Sequence, residues 1–138
     1  MKVLIAVNDP DYAREITAFV LKHSWAPETE FRVLAVNEDI RIGSLLAFLP
    51  GPILDDLMLK TQDLENQVLE DTAKALTQNM ENMIVSTKIS KGFPKEEILL
   101  EIKEWQPDVL FVGSHGRKGL DRVLLGSVSQ YLVSNAPC

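Results

Sequence analysis

Four of the chain's seven glycines fall within one short stretch, at positions 113, 116, 119 and 126, directly after the apolar run Val109-Leu110-Phe111-Val112. Glycines at that density permit positive φ angles and remove side chains, so backbone N–H groups can turn into one concave space and a ligand can approach the main chain. The chemistry such a nest suits is anion binding. Gly126-Ser127 then opens a helical stretch whose unpaired N–H groups and positive dipole end favour phosphate, with the Ser127 and Ser129 hydroxyls as further donors. Arg117 or Lys118 would add charge-assisted contacts, and His115 lies inside the same loop. The competing reading is that these glycines serve turns and a tight helix-sheet contact; for a glycine-rich loop taken alone the two stand level.

Other chemistry is thinly represented. There is no G-x-x-x-x-G-K-[ST] and no G-x-G-x-x-G after the first apolar run, which excludes a P-loop and a standard dinucleotide fingerprint. Two histidines and one terminal cysteine, Cys138, give no zinc spacing, so any metal is expected to be magnesium arriving with a nucleotide. Asp9 and Asp11 precede a helical pattern and are as well suited to capping it as to touching a ligand. The acidic residues Asp63, Glu70, Glu97, Glu101 and Glu104 read as solvated helix faces. Trp25 and Trp105, at helix ends, read as packing residues, and His23 as a helix-end residue favoured by the dipole.

The elements that would position the glycine segment follow from two alternating periods. Val3 to Val7 is a continuous apolar run, then Ala13, Ile16 and Val20 recur at helical spacing, and Phe31-Arg32-Val33-Leu34-Ala35-Val36 follows, which gives strand, helix, strand. Residues 37 to 55 form the one long connection, uncharged from Ile42 to Leu54 and expected to fold back over the sheet, with a lid or partner surface as the alternative. Leu57, Leu64, Val68, Leu76, Met80 and Met83 predict the buried face of a long helix, followed by a β-branched strand from Ile84 to Ile89. Gly92 and Pro94 turn the chain into a helix with Ile98, Leu99, Ile102 and Trp105 on its apolar face, stopped by Gln106-Pro107-Asp108. A last helix is predicted from near Gly126 to about Asn135. Strands apolar on both faces and alternating with helices imply an α/β fold, an open parallel sheet covered on both sides, with a ligand crevice where the strand order reverses.

At 138 residues the chain is expected to form a single domain, 1–138. A net charge of -6 argues against nucleic acid as a partner, since no general basic face is available for a phosphate backbone. No apolar stretch is long enough to span a bilayer, and the amino-terminal run Met-Lys-Val-Leu-Ile-Ala-Val has no signal-peptide layout. The expectation is a cytoplasmic protein with no membrane partner.

Gly113-x-x-Gly116, nine residues, then Gly126-Ser127 is similar to the G-2x-G-9x-G-[S/T] signature of the nucleotide-binding branch of the universal stress protein family, and the order of elements agrees along the whole chain. The resemblance implies a Rossmann-like, adenine-nucleotide alpha-hydrolase-like sheet ordered 3-2-1-4-5, with ATP, ADP or AMP held between the ends of strands 1 and 4. It would place Gly113, Gly116, Gly126, Ser127 and Val128 by the phosphates and ribose, with Val112, His115 and Arg117 in the same site and Val36 by the adenine. The family's acidic residue after strand 1 maps onto Asn8, with Asp9 one position later, and either would read the ligand. The family continues past Ala-Pro-Cys-Pro into a fifth strand that pairs across a homodimer; here the sequence given stops at Cys138, so the expected order is 3-2-1-4, without the fifth strand and with altered dimerisation.

The function so implied is a nucleotide-dependent sensor or regulator in stress responses. No residue is placed to orient an attacking water, so no catalytic residue is assigned; slow ATP hydrolysis and a protein-interaction module with a degenerate site are the alternatives.

Overall fold

The structure, a computed structural model, describes residues 1–38, 48–114 and 125–138. Its elements run β1 (Lys2–Val7), α1 (Pro10–Lys22), β2 (Glu30–Asn37), α2 (Gly51–Asn79), β3 (Ile84–Lys91), α3 (Pro94–Trp105), β4 (Val109–Val112) and α4 (Ser127–Asn135). The four strands form one parallel sheet in the order β3-β2-β1-β4, as expected. β1 lies at its centre, with Val3 beside Phe31 of β2 and Val109 of β4, and Ile5 beside Val33 and Phe111.

Alternation along β1 and β2 explains why both faces are covered. Val3, Ile5 and Val7 join Phe31, Val33 and Ala35 under Ala13 and Val20 of α1 and Val68, Leu69 and Leu76 of α2. Leu4, Ala6, Leu34 and Val36 point the other way, under Ile98, Ile102 and Trp105 of α3 and Leu132 of α4. Each fully buried aliphatic side chain stabilises the fold by about 1.5–3 kcal/mol, so a strand with one polar face would forfeit one of these layers.

Helix ends follow local chemistry. Asp9 caps α1 by accepting from the Asp11 and Tyr12 backbone N–H groups at 2.9 and 3.3 Å, with Pro10 at the first helical position. His23 caps the other end, its Nδ1 2.7 Å from the Phe19 carbonyl. Gly92, at φ 149°, turns the chain into α3, and Gln106 in the left-handed region ends it before Pro107. Trp25 packs edge-on against Phe31 and donates to the Val20 carbonyl at 2.8 Å, and Trp105 is buried, so both are packing residues.

Two expectations are corrected. α2 presents Leu54, Val68, Leu69, Thr72 and Leu76 inward, whereas Leu57 and Leu64 are exposed. The buried face is rotated because Glu65 and Thr72, polar by type, occupy positions under the helix. Glu101 is not solvated: it is 1% exposed, accepts from Arg32 Nη1 at 2.7 Å and bonds Lys88 Nζ. Arg32 in turn lies 4.4 Å over the Trp105 ring. Burial would push the Glu101 carboxyl up, but its hydrogen bonds to Lys88 and Arg32 outweigh that and hold it below the usual carboxylate range. Asp63, Glu70 and Glu104 are exposed as expected.

Candidate functional site

β2 and β4 flank β1, so the strand order reverses there and the connections leaving β1 and β4 diverge at the sheet's carboxyl end. One side of that crevice is the β1 exit, where exposed Asn8 is followed by Asp9. Asp9 spends its Oδ1 on the first turn of α1, which favours the capping role left open by the sequence. The other side is Gly113 and Ser114 at the β4 exit, in register just beyond the Ala6–Val112 pair.

The start of α4 is braced against this exit. Gly126 N–H donates to the Ser114 carbonyl at 2.6 Å, and the Ser129 hydroxyl donates to the Gly113 carbonyl. The first intrahelical acceptor, the Gly126 carbonyl, is taken by Gln130 N–H at 2.9 Å, which leaves the Ser127, Val128 and Ser129 amides at an end that no side chain among the described residues caps. Those amides and the helix dipole make a local positive terminus at the crevice. Ser127 is exposed there, so its hydroxyl is available to a ligand, whereas the Ser129 hydroxyl, expected as a second donor, is committed to the Gly113 carbonyl.

The two described glycines of the segment, Gly113 and Gly126, do not take the positive φ expected of them. Gly126 sits at φ −59°, ψ 154°, a conformation open to any residue, and among the described residues only Gly92 has the positive-φ glycine conformation. Gly113 answers to a close approach instead: a Cβ there would stand 3.1 and 3.2 Å from Cγ and Cβ of Tyr12. Tyr12 is thus a wall of the crevice that sequence reasoning missed; an aromatic in the first turn after β1, facing the first glycine after β4, was the available signal.

Val36, 7% exposed at the end of β2, packs in one cluster with Val112 and Val128, so the structure brings these three expected residues together on the α3/α4 side. Asn8, Gly113, Gly126 and Ser127 lie at the same end of the sheet. His115, Gly116 and Arg117, like residues 39–47 of the long connection, lie outside the described residues.

A separate groove of about 380 Å³ runs between α1 and α2, floored by small side chains such as Ala13, Thr17, Thr72 and Ala75, and takes none of the expected site residues. Among the described residues no group of three or more histidine, cysteine or acidic side chains could hold a metal ion, and no helix is long and apolar enough to cross a membrane.

The family model described as "Universal stress protein family" matches residues 1–138. The universal stress protein of Methanothermobacter thermautotrophicus is 34% identical over 100 residues, 70% of this chain and 67% of the relative. Across three such curated relatives the matched stretch spans 53%, 32% and 67% of the relative's own length. Among solved structures, universal stress protein UspA from Lactobacillus plantarum superposes with a TM-score of 0.75 at 22% identity, covering 100% of this chain and 93% of that one. A universal stress protein family protein from Arabidopsis thaliana with AMP bound gives 0.68 at 23% identity, covering 100% and 87%. These neighbours share the Rossmann-like α/β architecture, and with the family model spanning every element from β1 to α4, the chain belongs to the universal stress protein family.

Proposed function

We propose that this protein binds an adenine nucleotide, ATP, ADP or AMP, in the crevice between the β1 and β4 exits, as a single-domain, cytoplasmic sensor or regulator in stress responses. The observation that carries the reading is the uncapped amino terminus of α4, held against Gly113 and Ser114 by two hydrogen bonds. A terminus so fixed offers preorganised amide donors to a phosphate. Gly126 adds to it: it brings no side chain to this terminus although its backbone conformation is one any residue adopts, which suits a ligand approaching the main chain. The neighbour carrying AMP supports the choice of adenine nucleotide.

In this reading the Ser127 and Val128 amides and the Ser127 hydroxyl hold phosphate, with His115, Gly116 and Arg117 completing the loop side. Asn8 faces the ligand from the β1 exit, and Val36 and Val112 supply the apolar floor. Magnesium would be carried by the phosphates. Sensing requires that nucleotide bind one state better than another, and homodimerisation is the state we assign to that role. No residue is assigned to catalysis.

The test is calorimetric titration of nucleotide-stripped protein with ATP, ADP and AMP, with and without magnesium, on the native chain and on Gly126→Val and Ser127→Ala. Saturable binding of one nucleotide per chain, weakened roughly tenfold by Gly126→Val in a protein that still melts cooperatively, is expected. Absence of binding by folded native protein, or affinity untouched by both substitutions, would refute the site.

A further inference from the structure

Asn37, the last residue of β2, is 5% exposed, and its side-chain oxygen Oδ1 is enclosed without accepting a hydrogen bond among the described residues. Its main chain is provided for: the Asn37 carbonyl accepts from Gly92 N–H at 3.2 Å, and the residue pairs with Lys91 of β3. Enclosing an acceptor without a donor is unfavourable, and folded proteins leave few such groups. A ligand that brings the donor accounts for this one.

The place of Asn37 in the sheet narrows which donor that is. β1 pairs with β2 only as far as Val7 beside Ala35, so Val36 and Asn37 run on past the level at which β1 turns away through Asn8 into α1. Asn37 therefore stands at the border of the crevice. Alternation along β2 sends Val36 into the apolar cluster with Val112 and Val128, and Asn37 to the other face, the one that carries Val33 and Ala35 and toward which the chain turns into α1. A flat base seated over the end of β2 has Val36 on one side and the Asn37 amide on the other. Phosphate, itself rich in acceptors, gains nothing from Oδ1, so the two ends of a nucleotide sort themselves, phosphate to the α4 amides and base to Asn37.

We propose that Asn37 selects the base: its Oδ1 accepts from the exocyclic amino group of adenine while its Nδ2 donates to a neighbouring ring nitrogen. A carboxamide matches adenine in that order of donor and acceptor, the same pairing by which asparagine reads adenine in nucleic acids. A keto purine presents a carbonyl oxygen where adenine has the amino group, which sets two acceptors face to face in an enclosed place. Asn37 has this role only if the crevice takes a nucleotide, as proposed above. Gly126 and Ser127 hold phosphate and are blind to the base, so selection falls to a side chain at the opposite end of the ligand.

Calorimetric titration of the nucleotide-stripped full chain with ATP and with inosine triphosphate tests it, since inosine carries the keto group in place of the amino group. The native protein is expected to bind ATP about ten- to a hundredfold more tightly. Asn37→Leu keeps the volume and removes both polar atoms; it should weaken ATP by a similar factor and leave inosine triphosphate within about threefold, so that the preference disappears. If that variant fails to fold, Asn37→Ser, too short to reach a base, decides in its place. Equal affinity for the two nucleotides in the native protein, a preference for the keto purine, or a preference that survives substitution overturns the role of Asn37 and leaves the phosphate site standing. Binding of neither nucleotide by folded native protein removes the crevice as a nucleotide site, and the role of Asn37 with it.

Discussion

Replacing Glu101 by Gln removes one charge from the best-buried ionic contact described and leaves the volume in place. The carboxylate is 1% exposed and bonded to two cations, Arg32 and Lys88. Breaking a buried pair by neutralising one member costs about 3–5 kcal/mol when the remaining charge is stranded. Here the stranded groups retain access to water, with the Arg32 and Lys88 side chains 26% and 37% exposed, which brings the expected loss to about 2–3 kcal/mol. For a domain of this length that is a fall in Tm of roughly 10 °C. The pH dependence has a definite sign. Because the folded-state carboxyl is held below its ordinary value, its contribution is present in full above the unfolded-state pKa and is lost as pH falls through the folded value. Thermal melts of native protein and Glu101→Gln followed by circular dichroism should therefore differ most near neutrality and converge below about pH 4. A difference under about 1 °C at neutral pH, or one that persists unchanged into acid, would refute the role assigned to Glu101.

Three further substitutions separate structural from ligand roles. Gly113→Ala should destabilise by about 1–2 kcal/mol, because its Cβ would press on the Tyr12 ring at 3.1 Å, and adding Tyr12→Ala should relieve that particular clash; denaturant titration of the single and double variants checks it. Ser129→Ala removes the brace to the Gly113 carbonyl and should cost about 1–2 kcal/mol in the same assay, with no loss if the hydroxyl is idle. Asp9→Ala should cost about 1 kcal/mol of stability by uncapping α1 and leave nucleotide affinity within about twofold, whereas a large affinity loss in calorimetry would give Asp9 back to the ligand.

The fold was legible where a strand's two faces are both buried. Val3 to Val7 shows as a continuous apolar run, and Phe31 to Val36 as one broken only by Arg32, because nearly every side chain, up or down, meets a helix. The end of α3 was equally open to reading, since Gln106-Pro107 cannot continue a helix. The inward face of α2 was not: Leu57 and Leu64 are exposed although apolar, whereas Glu65 and Thr72 lie under cover although polar, so apolar spacing alone points to a different face. Glu101 was hidden for a different reason. Its partners stand 69 and 13 residues away, so an acidic residue on an amphipathic helix looks solvated until the sheet brings Arg32 and Lys88 beneath it. At the site, the brace between the β4 exit and α4 was foreshadowed by glycine and serine spacing, whereas the contact of Tyr12 with Gly113 pairs residues about a hundred positions apart and could be read only once β1 and β4 were taken as neighbours.

The most direct test of the central claim is amide-resolved NMR titration of ¹⁵N-labelled protein with AMP and ATP. The account predicts saturable shifts concentrated at Gly113, Ser114, Gly126, Ser127 and Val128. Shifts gathered instead around Thr17 and Thr72 in the α1/α2 groove, or a spectrum unmoved at millimolar nucleotide, would contradict it.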